Sequence, residues 1–174
     1  MWIFVNSMRP LPIDIIEKIH RHVDAVFGVG VSDALPDDIQ LSFSKRTGRI
    51  KNFGMDGRLI MTFRTDGGLA LTIIGAQYLL DHSMQFWENC VIPLQDAAPF
   101  VSEGRSLFCK HVEWCGSNIK VGSDVAVLDS NSDSDASSRR VIAVGIATLP
   151  SKLMKQYCKG VAVKVRQGIK GRTE

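Results

Sequence analysis

Several things are scarce in this sequence, and each shortage excludes a class of protein. None of the four cysteines, at 90, 109, 115 and 158, forms a Cys-x-x-Cys pair. Neither a zinc ribbon nor a redox motif is therefore indicated, and reduced, partly buried thiols in a reducing compartment are the expectation. No apolar run approaches the roughly 20 residues that a membrane helix needs. The longest, 69–80, is interrupted by Thr72, Gly75 and Gln77. The opening Met1-Trp2-Ile3-Phe4-Val5 lacks a basic preface and is too short for a secretory signal. It reads as a first strand, the chain as cytoplasmic, and a membrane is not among the expected partners. There is no Walker sequence, and Phe27-Gly28-Val29-Gly30 follows a helix rather than opening one. The polar stretch 129–138 has three aspartates but neither the central glycine nor the terminal glutamate of a calcium loop. It reads as a mobile hairpin tip. No cofactor and no metal are expected.

What is present suits a folded chain. Hydrophobic residues make up 45% and charged residues 22% of 174 positions, enough for one medium domain or two small ones. The net charge of +3 is unevenly spread. Residues 1–95 hold nine basic and ten acidic groups, whereas 139–174 hold nine basic groups against Glu174 alone. A basic final third is the footprint of a polyanion partner. Charge alone does not separate that reading from a solubilising surface.

Residues 12–27 carry the clearest helical period. At about 100° per residue, Ile15, Ile16, Ile19, Val23, Val26 and Phe27 fall within roughly 120°. Glu17, Lys18, Arg21 and Asp24 lie opposite, His20 and His22 sit at the borders, and Gly28 supplies a stop. Strands follow at 39–44 and 58–64. A tight turn at Thr65-Asp66-Gly67-Gly68 leads into a strand through Leu69, Leu71 and Ile73. A short helix is expected over 76–82. From about residue 90 the pattern changes to short strands at 90–94, 107–115, 124–129, 141–148 and 161–166, with a short helix at 97–103 closed by Gly104. That is the pattern of a small barrel.

Four blocks in the second half carry a resemblance: Ala98-Pro-Phe-Val-Ser-Glu-Gly104-Arg105-Ser-Leu-Phe108, Val121-Gly-Ser-Asp-Val125, Ile142-Ala-Val-Gly-Ile-Ala147 and Lys159-Gly-Val-Ala-Val-Lys-Val-Arg166. In this order and spacing they resemble the PUA domain of pseudouridine synthases and archaeosine transglycosylases. The first half resembles the pre-PUA domain that precedes it in archaeal proteins, including archaeosine tRNA-guanine transglycosylase and stand-alone relatives. The resemblance implies an α+β chain: a pre-PUA-like helix-plus-antiparallel-sheet domain over 1–89, then a small mixed β-barrel, the PUA domain, over 90–172. Ser123-Asp124 departs from the family's Asp-Glu, and the serine-aspartate loop is longer than usual. Both departures are expected to lie away from bound RNA.

The resemblance further implies a non-catalytic RNA-binding protein, with tRNA (its acceptor end) or another structured RNA as ligand, a role as accessory to tRNA modification, and no membrane partner. It assigns RNA to Gly104, Arg105, Ser106, Lys110, Lys164 and Arg166. The last strand supports the final pair independently. Val161, Val163 and Val165 share one face, so Ala162, Lys164 and Arg166 share the other, and Lys170 and Arg172 continue it if the chain stays extended. The expectation is a row of cations for a phosphate backbone. The structural alternative makes Gly104 a helix stop and the basic strand a guarded edge. Trp114, in strand parity with Lys110 and Val112, is a candidate stacker, although an indole in a barrel wall is more often core. Cys109 and His111 would share a strand face as a thiol–imidazole pair, though no third group is evident to orient the imidazole. The rival to a self-sufficient RNA binder is a docking or translation-factor-like subunit. Its near-neutral first half would hold an RNA-modifying enzyme or the ribosome.

Overall fold

The computed structural model describes residues 12–130 and 139–171. The expected first strand at 1–5, most of the hairpin tip 129–138, and Arg172 lie outside the described residues. Helix α1 (Ile13–Phe27) buries Ile19, Val23 and Phe27 at a spacing of four, and Gly28 ends it at φ +114°, its N–H donating to Asp24 O at 2.9 Å. The border histidines stay at the border: His22 Nε2 donates to Gly67 O at 2.7 Å and its ring meets Phe63 edge-on.

Four antiparallel strands follow in sequence order: β1 (Gln40–Phe43), β2 (Ile50–Met55), β3 (Arg58–Phe63) and β4 (Leu69–Leu71). The second was not expected, because Asn52 and Gly54 interrupt its apolar pattern. Asn52 is buried all the same, since its amide donates to Ser42 Oγ at 2.9 Å and accepts from Thr62 Oγ at 3.0 Å. A buried side chain so partnered staples three strands at little desolvation cost. The expected turn at 65–68 joins β3 to β4, with Gly67 at φ +89°. Helix α2 (Ile73–His82) begins three residues earlier than expected. Thr72 Oγ accepts the Gly75 N–H at 3.0 Å and caps it.

The second half is a nearly closed six-stranded mixed barrel built from β5 (Cys90–Pro93), β6 (Leu107–Phe108), β7 (Val112–Cys115), β8 (Asp124–Leu128), β9 (Val141–Ala147) and β10 (Val161–Gly168). Its strand order is β6-β10-β9-β8-β5-β7, with β5 and β8 parallel. The short helices are α3 (Ala98–Ser102) and α4 (Ser151–Met154). The single strand expected over 107–115 is broken by a 3-10 turn at Cys109–His111. The turn carries the chain from one barrel edge to the other, held by Cys109 N–H to Gly160 O at 3.0 Å and Leu94 N–H to His111 O at 2.8 Å.

Alternation along the barrel strands sorts two cores. Val125, Val127, Ala143, Ala147 and Val163 point inward. Ala126, Leu128 and Val144 point outward and join Phe27, Phe53, Met61 and Phe86 in the core of the first half. The halves therefore share a buried apolar seam. No helix of the described residues is long and apolar enough to cross a membrane.

Candidate nucleic-acid interface

Helix α3 is short because its last carbonyls are captured by a Schellman closure. Gly104 N–H donates to Val101 O at 2.9 Å and Arg105 N–H to Phe100 O at 3.1 Å, with Gly104 at φ +89°. Gly104 is thus a helix stop, the structural alternative, and it is buried. It lies against the last strand. A Cβ on Gly168 would stand 2.3 Å from Ser102 O and 2.5 Å from Gly104 N. The corner and β10 are therefore pressed together, backbone to backbone.

Past this corner the chain surfaces. The Arg105 side chain is 68% exposed, its guanidinium 5.3 Å from the Phe100 ring and 4.0 Å from Glu103. A groove of about 370 Å³ opens here between α3 and β6, lined by Asp96, Phe100, Arg105, Ser106, Phe108 and His111 among others. Phe100 and Phe108 are 51% and 47% exposed on it. Sequence reasoning missed both rings. The helical period offered a signal, since Ala98, Val101 and Ser102 are buried and Phe100 must face away. An apolar floor with exposed rings and a fork-shaped cation at its rim can stack a base and pair a phosphate.

The other expected residues divide. Lys110 is exposed on the 3-10 turn, not on a strand. Lys164 is exposed and makes no ion pair among the described residues. The register that pairs Leu107 with Val163 runs Ser106 toward Lys164, on the outer face of the barrel. Lys170 follows the strand, its N–H donating to Ser102 O at 2.9 Å. It lines a separate groove of about 220 Å³ with Asp129 and Arg140 on the other flank of α3.

Arg166 is the clearest correction. A bulge between Val165 and Gln167 interrupts the alternation, and the guanidinium turns to Asp124 Oδ1 at 3.0 Å and Leu71 O at 2.6 Å. Arg64 holds the other oxygen of Asp124 at 3.1 Å and also pairs with Asp66. The Asp124 side chain is 1% exposed. Burial lifts its carboxyl above the ordinary aspartate range, against the pull of Arg166 and Arg64. The expected row of cations along β10 is therefore broken, and the departure at Asp124 lies in contact with a residue assigned to RNA, not away from it.

Trp114 takes the core alternative. Its ring lies 5.1 Å from that of Trp87, partly buried against the shared core, with Arg139 5.7 Å from Trp87. Cys109 and His111 do not share a strand face. Cys109 is buried, and burial pushes its thiol up, away from the thiolate a nucleophile needs. The imidazole does have a neighbour, with Asp96 Oδ1 3.7 Å from His111 Nδ1.

Comparison with known proteins agrees with the two-part fold. The family model of the PUA domain matches residues 91–169, and that of the patch-forming domain C2 of tRNA-guanine transglycosylase matches 17–85. The chain is 31% identical over 159 residues to the tRNA-guanine(15) transglycosylase of Methanobrevibacter smithii, covering 90% of this chain and 23% of that protein. It is 32% identical over 156 residues to that of Thermoplasma volcanium, covering 88% and 23%. The chain thus spans about a quarter of the length of these curated relatives. Its fold is like that of a hypothetical protein from Pyrococcus horikoshii (TM-score 0.67, 22% identity, 92% of this chain and 93% of that one). A PUA domain protein from Thermoplasma acidophilum is similar in the same way (TM-score 0.62, 16% identity, 91% of each). Residues 91–169 are therefore a PUA domain, preceded at 17–85 by a domain of the C2 type, and the chain is homologous to archaeal tRNA-guanine transglycosylases over about a quarter of their length.

Proposed function

We propose that this protein is a non-catalytic RNA-binding protein that takes a structured RNA, tRNA first among them, on the groove between α3 and β6, and that it serves tRNA modification in the cytoplasm. A PUA domain suggests RNA binding, and the homologues are named for a reaction on tRNA. The observation that carries the reading is Arg105 standing exposed between Phe100 and the polar Ser106 at the rim of that groove. In this reading the unpaired acceptor end of tRNA stacks on Phe100 and Phe108, while Arg105 and Lys164 pair with phosphates. Gly104 shapes the corner, Lys110 and Lys170 lie at its outskirts, and Arg166 holds the fold. Titration of purified protein with tRNA, with and without its unpaired 3′ end, tests this. Removal of that end should weaken binding at least tenfold, and equal affinity for both forms would refute the groove.

A second reading has its own support. The relatives carry about three-quarters of their length outside the matched region. A chain of this architecture would work as a docking subunit whose first half holds an RNA-modifying enzyme or the ribosome. In that case the purified protein binds RNA weakly and leaves native extract with a larger partner.

A further inference from the structure

The first half also presents a surface built from segments that lack lysine and arginine. Residues 22–44 and 65–104 contain neither, and the fold lays parts of the two stretches side by side. A Cβ on Gly30 would stand 3.7 Å from the Gln85 side chain and 3.9 Å from Asp33 Oδ2. Farther along, Asp38 lies beside Tyr78: burial, and then this carboxylate, lifts the Tyr78 phenol above its ordinary range. The loop 29–38 therefore runs antiparallel to α2 and to the 3-10 turn Met84–Asn89 that follows it.

The strip along this junction is apolar. At one end Met84 is 91% and Val29 87% exposed, and at the other Ile74 is 46% exposed. Gly75, Ala76 and Leu79 face the core, so Ile74, Tyr78 and Asp81 share the outer side of α2. There the Tyr78 ring stacks on that of His82 at 4.2 Å. Ile74 and Met84 stand about 15 Å apart at the helical rise. Ordered, exposed side chains of this size mark a surface that a partner covers, and methionine and aromatic rings are favoured in such interfaces. The charge beside them is of one sign. Among the described residues Asp33, Asp37, Asp38 and Asp81 form no ion pair, and Asp81 accepts a hydrogen bond from Gln77 Nε2 at 2.8 Å. Arg139, whose carbonyl Gln77 holds at 3.3 Å on the far border, is turned onto the Trp87 ring.

We infer that this strip docks a segment of a protein partner that carries lysine or arginine between apolar side chains. The apolar groups of that segment cover Met84, Val29 and Ile74, and its cations meet Asp37, Asp38 and Asp81. About five residues of extended chain span the strip. Charge complementarity of this kind steers the right partner and rejects wrong ones. The same carboxylates repel a phosphate backbone, which leaves the groove and the strip to different ligands. The inference rests on the docking reading above, to which it gives a surface on the first half, and does not depend on the groove.

The test uses the full chain and three fluorescent nonapeptides: leucine alternating with lysine, serine alternating with lysine, and leucine alternating with glutamate. The leucine–lysine peptide should bind about tenfold more tightly than either of the others, because only it answers both the apolar strip and its charge. Asp37→Asn with Asp38→Asn should weaken it about tenfold and flatten its salt dependence, whereas Asp37→Glu with Asp38→Glu should bind as the parent does. Ile74→Ser with Met84→Ser should weaken it about tenfold at unchanged salt dependence. These positions are exposed, so stability should hold. Affinity for tRNA should stay within about twofold in every variant, since exposed charges beyond a Debye length are screened. Equal binding of the leucine–lysine and serine–lysine peptides, binding untouched by the variants, or no binding at all would overturn the strip. So would a parallel loss of tRNA affinity, which would make this surface part of an RNA path. Isolation from native extract separates the strip from the docking reading. If the parent and the Ile74→Ser, Met84→Ser variant both retain a larger partner, the strip is wrong and the docking reading stands. If the parent comes out alone, the docking reading falls and the inference with it.

Discussion

Arg105 and Arg166 begin alike, as arginines flanking the same corner on outward-facing positions, and end in opposite states. Arg105 has Glu103 at 4.0 Å and a 68% exposed side chain. Arg166 has a nearly buried carboxylate at 3.0 Å, a carbonyl at 2.6 Å, and half that exposure. The seam and the groove rim thus use the same residue type for different ends. At the seam the guanidinium satisfies groups that burial would otherwise leave unpaired. At the rim it stays exposed to solvent. A cation's parity on a strand says which way it starts, but the acceptors within reach of a long side chain decide where it finishes.

The sharpest way to break this comparison is to remove the shared carboxylate. Asp124→Asn leaves Arg166 without its counterion and Arg64 with Asp66 alone, and loss of one member of a buried ionic cluster costs about 3–5 kcal/mol. Chemical denaturation should report a loss of that size. RNA affinity of the molecules that remain folded should stay within about twofold, and a loss in affinity without a loss in stability would move the triad to the RNA surface.

Gly168→Ala presses on the link between the two regions. Its Cβ would meet the carbonyl of Ser102 and the amide of Gly104, backbone atoms that cannot swing away. Overpacking of this kind costs about 1–3 kcal/mol, and the corner that presents Arg105 must shift to relieve it. Both stability and RNA affinity should fall together, which no other substitution here is expected to do.

The two arginines themselves give the cleanest contrast. Arg105→Ala should leave stability within about 0.5 kcal/mol, as exposed substitutions do, while lowering RNA affinity about tenfold and flattening the salt slope by about one. Arg166→Ala should do the reverse, destabilising the fold and leaving the slope unchanged.

The sequence made this contrast only half legible. Architecture was readable, because α1 repeats its apolar face for four turns and the four barrel blocks stand in order. Gly104 was readable as a stop because that role depends on local backbone geometry, whereas Arg105 was named only through the family resemblance. Arg166 was not readable, since its fate depends on Asp124, 42 positions away, and on Leu71, 95 positions away. The bulge at Val165 and Gln167 also breaks the period of two from which a row was inferred. The 3-10 turn at 109–111 misled in the same way. Barrel closure requires a corner there, and nothing local in Cys109-Lys110-His111 announces one. Asn52 hid β2 because a lone polar residue looks like a loop until its partners on two neighbouring strands are known.

The seam has a second clasp, and it supplies the mildest test. Glu88, from the first half, accepts hydrogen bonds from Ser117 Oγ and Ser117 N–H of the barrel, both at 2.7 Å, and next to it Asn118 Nδ2 donates to Asn89 Oδ1 at 2.7 Å. The Ser117 side chain and backbone donors hold the Glu88 carboxyl below the ordinary glutamate range. A carboxyl whose pKa is depressed by folding contributes stability that is fully present above its unfolded value, about 4.3, and is lost as pH falls through the folded value. Glu88→Gln should therefore cost little at neutral pH, since a surface-side clasp is screened by solvent. The difference between parent and variant should shrink as the solution is acidified below that unfolded value. Melting curves across this range check the sign. A difference that instead grows on acidification would mean that Glu88 is held by something other than the Ser117 donors.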